Sequence, residues 1–219
     1  MLKRWYPLQK KIIKMNYLHT VESTTNEYDL INNINITDVL TTLIKHIIQE
    51  TNIFKHLEIK RILICIASNR GKARGGTYGK LVPLKFKDGS DILHYKSRIY
   101  AMPKIINNGI PLLYLVYFYS PKFIDITPFE KLRVIFHELY HISPEFNGDI
   151  RRVSKVKVFH GYSTKSFNAQ FENDLHMFYK YISNTIFMKF LQMDSKLLQK
   201  NFQKIFSRRM KLPKPILVK

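Results

Sequence analysis

Cysteine is nearly absent from this sequence, because Cys65 is the single thiol among 219 residues. One thiol cannot form a disulfide within the chain, and it cannot supply the cysteine cluster of a structural zinc site. A disulfide-stapled architecture and a zinc ribbon are therefore excluded. The shortage fits a reducing compartment, and we expect a cytoplasmic protein.

Long apolar segments are missing as well. The longest apolar run, residues 110–119, covers about ten residues, whereas a membrane-spanning helix needs roughly 20. The first eighteen residues are basic and contain interspersed lysines, so they lack the apolar core of a secretion signal. We expect neither a membrane span nor a secretion signal.

Acidic residues are scarce relative to basic ones. The chain has 16 Asp and Glu against 36 Lys and Arg, which gives a formal net charge of +20 and a pI near 9.9. A field of this size attracts nucleic acid and other polyanions. A nucleic-acid partner is therefore one expectation, and a lysine-rich composition of the source proteome is the competing explanation.

What the chain does contain is the motif His137-Glu138-Leu139-Tyr140-His141. Two histidines four apart on a helix lie on one face, so both rings can reach one ion. The intervening Glu138 can take a proton from a water bound to that ion. Zinc uses such a site by leaving one position open, which brings the pKa of its water towards ~7. The motif predicts a Zn²⁺-dependent hydrolase, and a peptidase is the first hypothesis for its class.

The surroundings of the motif strengthen this prediction, since the pattern alone arises by chance in roughly one such sequence in a hundred. Thr127, Pro128 and Glu130 have the order of an N-cap, a first helical residue and a capping-box partner. Apolar residues then recur at helical spacing, and Ser143-Pro144 ends the pattern. The alternative is a buried core helix that happens to carry two histidines.

The remaining pattern predicts an α+β fold, in which a small mixed or mostly antiparallel sheet packs on the motif helix between an N-terminal helix and C-terminal helices. We expect one domain over residues 27–206, preceded by a basic and polar arm (1–26) and followed by a basic tail (207–219). The pattern favours helices over 38–50 and 168–206, with Thr37 as the cap of the first, and strands over 59–67, 81–86, 92–103 and 111–119. Residues 68–80 combine glycines and cations without the spacing of a Walker loop. They form either a phosphate-binding loop or a solvated connection.

A catalytic zinc ordinarily takes three protein ligands. His160 is our choice for the third, because it follows a turn and Gly161 lets the backbone pack close to the site. Glu172 is the runner-up, since it would complete a site of two His and one Glu. The other downstream candidates are His176, Glu145, Asp149 and Asp174. The oxyanion partner is Tyr162, Tyr140 or Arg151, which the sequence does not distinguish.

The motif continues as Ile142-x-Pro144-x-Phe146-Asn147-Gly148-x-x-Arg151, and this extension resembles the phage metallopeptidase domain family. The basic segment Ser68–Gly79 is similar to a segment of that family. The His160-Gly161 pair followed by Phe167 is similar to SprT-like small zincins, in which that histidine is the third ligand. The resemblance spans about residues 35–180 and implies a zincin-like fold, a metal cofactor and peptide-bond hydrolysis.

The sequence leaves three hypotheses for the function of this protein. The first is a zinc metallopeptidase with His137, His141 and His160 as metal ligands, Glu138 as general base, and a peptide or protein as substrate. The second is a basic nucleic-acid-binding protein on a zincin scaffold, either a DNA-stimulated protease or an inactive one. The third is a structural assembly factor in which the motif helix only fills the core. The metal content of the purified protein distinguishes the assembly factor from the metallopeptidase. Chelator-sensitive proteolysis distinguishes the metallopeptidase from the nucleic-acid-binding protein.

Overall fold

The computed structural model of the chain describes residues 33–68, 77–153 and 163–218. The predicted arm 1–26, most of the glycine-rich loop, and both His160 and Tyr162 lie outside these ranges. Within them the helices are α1 (Ile36–Glu50), α2 (Pro128–Tyr140), α3 (Thr164–Ala169), α4 (Glu172–Tyr181), α5 (Ile186–Leu191) and α6 (Ser195–Asn201). The strands are β1 (Asn33–Asn35), β2 (Ile62–Ser68), β3 (Gly79–Pro83), β4 (Ile92–Tyr95), β5 (Arg98–Ala101), β6 (Ile106–Asn107), β7 (Ile110–Pro111), β8 (Tyr114–Ser120), β9 (Lys204–Phe206) and β10 (Ile216–Leu217).

Within the described ranges, the central sheet has three strands in the order β2-β8-β3. β2 runs parallel to β8, with Ile62 opposite Tyr114, and β3 runs antiparallel to β8, with Gly79 opposite Phe118. The aromatic-rich β8 is the middle strand, as its composition predicts, because a strand buried on both faces tolerates a continuous apolar run. The α+β class and the mixed sheet are confirmed.

Helices cover one face of this sheet. Alternate residues of β2, among them Ile62, Ile64 and Ile66, join the core formed by α1, α2 and α4. The residues between them, Leu63 and Cys65, face a second apolar cluster that includes Leu115 and Tyr117. Burial raises the pKa of the Cys65 thiol to about 11, so this cysteine is a packed apolar group rather than a reactive thiolate.

Three local predictions need correction. α1 begins at Ile36 and is capped by Asn35, whose Oδ1 accepts a hydrogen bond from the Thr37 backbone at 3.1 Å. The predicted strand over 92–103 is instead the hairpin β4–β5. The region 168–206 contains short helices rather than one or two long ones, since Asp194 caps a new helix by accepting from the Leu197 backbone at 2.7 Å.

The segment after α6 lies along the rest of the molecule. β9 pairs in parallel with β1, and β10 pairs with β5. Between them the Arg208 carbonyl accepts a hydrogen bond from the Ile66 backbone at 2.9 Å. Among the described residues, that contact covers the edge of the central sheet at β2, and β3 forms the other edge, next to α2.

Candidate metal centre

α2 carries the motif and begins as predicted. Thr127 Oγ1 accepts a hydrogen bond from the Glu130 backbone at 3.3 Å, and Pro128 is the first helical residue. Leu132, Ile135, Phe136 and Leu139 are all buried and dock the helix on the core. Lys131 makes a second contact between this helix and the rest of the chain. Its ammonium group is buried and donates hydrogen bonds to the carbonyls of Leu191 and Met193, each at 2.7 Å. α2 is thereby held at both its apolar face and its flank.

The two motif histidines meet at their Nε2 atoms. The Nε2–Nε2 distance between His137 and His141 is 3.1 Å, and the ring planes are inclined at 87°. Two nitrogens bound to one tetrahedral zinc at ~2.05 Å would lie about 3.3 Å apart. The separation of the two nitrogens is therefore close to the one that a shared metal ion requires.

A short helix orients both rings. Ser163 caps α3 by accepting from the Ser166 backbone at 3.0 Å. Asn168 on α3 places Oδ1 2.7 Å from Nδ1 of His137, and Phe167 stacks on the His141 ring with centroids 4.6 Å apart. An amide oxygen can only accept, so Nδ1 of His137 carries the hydrogen and its Nε2 presents a lone pair.

The carboxylate of Glu138 is enclosed by α2 and β3. Its side chain is 6% exposed, and the Leu81 backbone donates a hydrogen bond to it. A β-carbon added to Gly79 would lie 2.8 Å from both Cγ and Oε1 of Glu138. Only glycine allows β3 to approach this closely. Burial raises the pKa of Glu138 to about 7, with the Leu81 hydrogen bond opposing the shift.

The residues after the motif form a return loop. Ile142 and Ile150 make an antiparallel bridge, and the Arg151 backbone donates to the His141 carbonyl at 2.6 Å. The Arg151 guanidinium donates to the Tyr140 carbonyl at 2.7 Å and lies 4.1 Å from the centre of the Tyr140 ring. The motif extension thus closes the C-terminal end of α2, where carbonyl groups lack helical partners.

Three of the four carboxylates considered as third ligands have other partners. Glu172 accepts from Arg133 at 2.9 Å and lies 3.5 Å from His176. Asp149 forms an ion pair with Arg152 at 3.0 Å, and Glu145 accepts from Ser143. Within residues 33–68, 77–153 and 163–218, no group of three His, Cys, Asp or Glu side chains converges on a point where a metal would bind. His160 lies outside those ranges, so its assignment stays a prediction.

Sequence reasoning missed Asn168 as part of the site, and it named Phe167 and Gly79 only within the family resemblances. Each acts through a contact between distant parts of the chain, such as the 31-residue separation of His137 and Asn168. The one local signal was Ser163, which has the character of an N-cap and would have placed a short helix after the predicted ligand.

No helix among the described residues is both long and apolar enough to cross a bilayer.

The protein-family model described as "Putative phage metallopeptidase" matches residues 33–163, more than half of the chain. Neither a curated protein nor a solved structure matches. The resemblance inferred from the extended motif is confirmed, and the mixed α+β architecture is consistent with the zincin-like fold that it implies. The family description implies a metal cofactor and peptide hydrolysis, and the chain is a member of this putative phage metallopeptidase family.

Proposed function

We propose that this protein is a zinc-dependent peptidase in which Glu138 is the general base. The observation that carries the proposal is the convergence of His137 and His141 on one point beside a buried carboxylate. A core helix would not need two imidazole nitrogens 3.1 Å apart next to an enclosed glutamate. A metal ion shared by the two rings, with the carboxylate beside it, would account for both features.

His137 and His141 would hold the ion through Nε2, with His160 as the third ligand. Imidazole donors suit zinc and other late divalent metals, whereas magnesium and calcium prefer oxygen ligands. When bound, such an ion polarises a carbonyl and makes an attacking water more acidic. Proton transfer and positioning of the metal ligands would be carried out by protein side chains.

Glu138 would accept the proton of the attacking water and pass it to the leaving amine. A base works best when its pKa lies near the operating pH, and burial holds the pKa of this carboxyl at about 7 in the metal-free chain. Gly79 and the Leu81 backbone keep the carboxylate in one position. A fixed base loses less entropy in the reaction than a mobile one.

Asn168 would act as a positioning residue. Its acceptor oxygen holds the Nδ1–H tautomer of His137, and this leaves the Nε2 lone pair directed at the ion. Hydrogen bonds of this kind fix the ring orientation of metal-binding histidines and raise their basicity. The role supports metal binding and involves no contact with substrate.

The place of β3 favours a peptide as substrate. In the described part of the chain β3 is an edge strand, paired with β8 on one side, and it lies against Glu138 on α2. An edge strand can pair with an extended peptide through backbone hydrogen bonds. A peptide aligned in this way would bring a carbonyl group close to the general base.

Proteolysis of an unstructured protein such as casein tests this proposal. Wild type should cleave casein, lose that activity with a chelator and regain it with Zn²⁺. His160→Ala should lower bound metal strongly, whereas His176→Ala, which removes an exposed histidine from α4, should leave metal content and activity unchanged. Equal metal content in wild type and His160→Ala would rule out His160 as the third ligand. Absence of metal from wild type and no response to added zinc would overturn the whole proposal.

A further inference from the structure

A second small sheet carries a concentration of positive charge. Its strand order is β10-β5-β4, and it joins the hairpin 92–101 to the C-terminal segment. The sequence contains no Asp or Glu between residues 92 and 124, and none after Asp194. All strands of this sheet therefore come from stretches that have cations and no anions.

One face of the sheet combines aromatic rings with cations. In the register of the hairpin, Leu93 is opposite Tyr100 and Tyr95 is opposite Arg98. Side chains alternate between faces along a strand, so these four residues share a face. β10 adds Leu217 opposite Tyr100 on the same face. Tyr95 is 57% exposed, so its ring is open to a ligand that stacks on it.

The hairpin turn completes this surface. Lys96 places its ammonium group 5.7 Å from the centre of the Tyr95 ring. A concave space of about 300 Å³ is lined by Tyr95, Lys96, Ser97, Arg98 and Tyr100. Rings and cations thus surround one depression, rather than being distributed over separate surfaces.

We propose that this surface, formed by Tyr95, Lys96, Arg98 and Tyr100, binds single-stranded nucleic acid. Unpaired bases stack on exposed aromatic rings, while nearby cations contact the phosphates. The lack of acidic residues in these strands removes the main source of repulsion of a polyanion. The site is separate in its residues from the motif on α2, so it does not depend on the proposed hydrolysis.

An anionic membrane is the competing occupant, because Ile216 and Leu217 are also exposed. Aromatic rings alternating with cations on one face favour bases over acyl chains, since a lipid surface requires a continuous apolar face. The exposed aliphatic side chains are divided between the two faces, because adjacent residues of β10 point in opposite directions. Nucleic acid is the partner that the geometry supports.

Fluorescence anisotropy of the full-length protein with a labelled 20-nucleotide oligo(dT) tests the proposal. Tyr95→Ala and Tyr100→Ala should each weaken binding about tenfold, the low end of what a stacked base contributes. Tyr95→Phe should restore most of the affinity, because it keeps the ring. Replacing Lys96 and Arg98 by alanine should reduce the slope of log K against log salt by about 1.4, at ~0.7 per phosphate contact.

Matched controls distinguish a built surface from general positive charge. Tyr181→Ala removes another exposed tyrosine, and the pair Lys55→Ala and Lys180→Ala removes two exposed cations elsewhere. These controls should change the affinity less than twofold. Equal losses in the hairpin and control variants, or no detectable binding at 50 mM salt, would overturn the proposal. So would hairpin variants that release the protein from phosphatidylserine vesicles but bind oligo(dT) like wild type. Circular dichroism melts confirm that each variant is folded.

Discussion

Replacing Asn168 with leucine tests whether the metal centre depends on support from α3. The change keeps the side-chain size roughly constant and removes the oxygen that accepts from His137 Nδ1 at 2.7 Å. Without that acceptor, His137 can rotate or carry its hydrogen on Nε2, where it would block the metal. Loss of such a supporting hydrogen bond typically costs 10–100-fold in metal affinity, which is about 1.4–2.7 kcal/mol.

Competition with a fluorescent zinc chelator measures the affinity directly. Asn168→Asp keeps an acceptor oxygen and adds a negative charge, so this variant should bind zinc at least as tightly as wild type. Gln170→Leu removes a nearby exposed amide from the end of the same helix, and it should leave the affinity unchanged. The Nδ1 proton of His137, followed by NMR, should lose its hydrogen-bonded shift only in the leucine variant.

Two results would refute this reasoning. The first is an Asn168→Leu protein that binds zinc within twofold of wild type. The second is an equal loss in Gln170→Leu, which would mean that any change in α3 disturbs the site. A loss confined to Asn168→Leu, together with an unchanged melting temperature, would identify the hydrogen bond itself as the cause.

Two further predictions concern the packing around α2. Gly79→Ala should bring a methyl group to 2.8 Å from Glu138 Cγ and Oε1. Proteolysis should therefore fall at least tenfold, while the zinc content stays equal to that of wild type. Full activity in this variant would contradict the close approach of β3 to Glu138. Burial lowers the pKa of Lys131 from 10.5 to about 8. Desolvation of its ammonium therefore outweighs the two hydrogen bonds to carbonyl groups, and this cost, which is full below pH 8, disappears by pH 10.5. Urea unfolding should therefore show a pH-dependent gain of up to roughly 3 kcal/mol between pH 7.5 and 10.5 in wild type relative to Lys131→Met, and identical pH profiles would contradict the shift.

The motif helix was predictable because its signals are local. Thr127, Pro128 and Glu130 define its start, and the spacing of His137 and His141 puts both rings on one face. The strands β2 and β8, and the central place of β8, followed from the composition of these segments, whereas the sheet was predicted only as mixed or mostly antiparallel. These predictions need only the periodicity of the chain and the chemistry of caps.

Other features were hidden because they depend on tertiary contacts or on unusual turns. The hairpin turns at Lys96-Ser97, where Lys96 has φ +54° without the glycine or asparagine that ordinarily marks such a turn. The Asn168 contact and the approach of Gly79 to Glu138 join segments far apart in sequence. The residues that position the metal ligands and the general base could therefore be identified only from the folded structure.

Glu138→Gln, assayed for bound zinc and for casein cleavage in the same preparation, is the most direct test of the account. Glutamine keeps the size of the side chain and removes its ability to take a proton. The variant should retain zinc at the wild-type stoichiometry and lose proteolysis by at least a hundredfold, the range for a general base. Loss of zinc would make Glu138 a ligand or a structural group, and retained cleavage would contradict its role as the base.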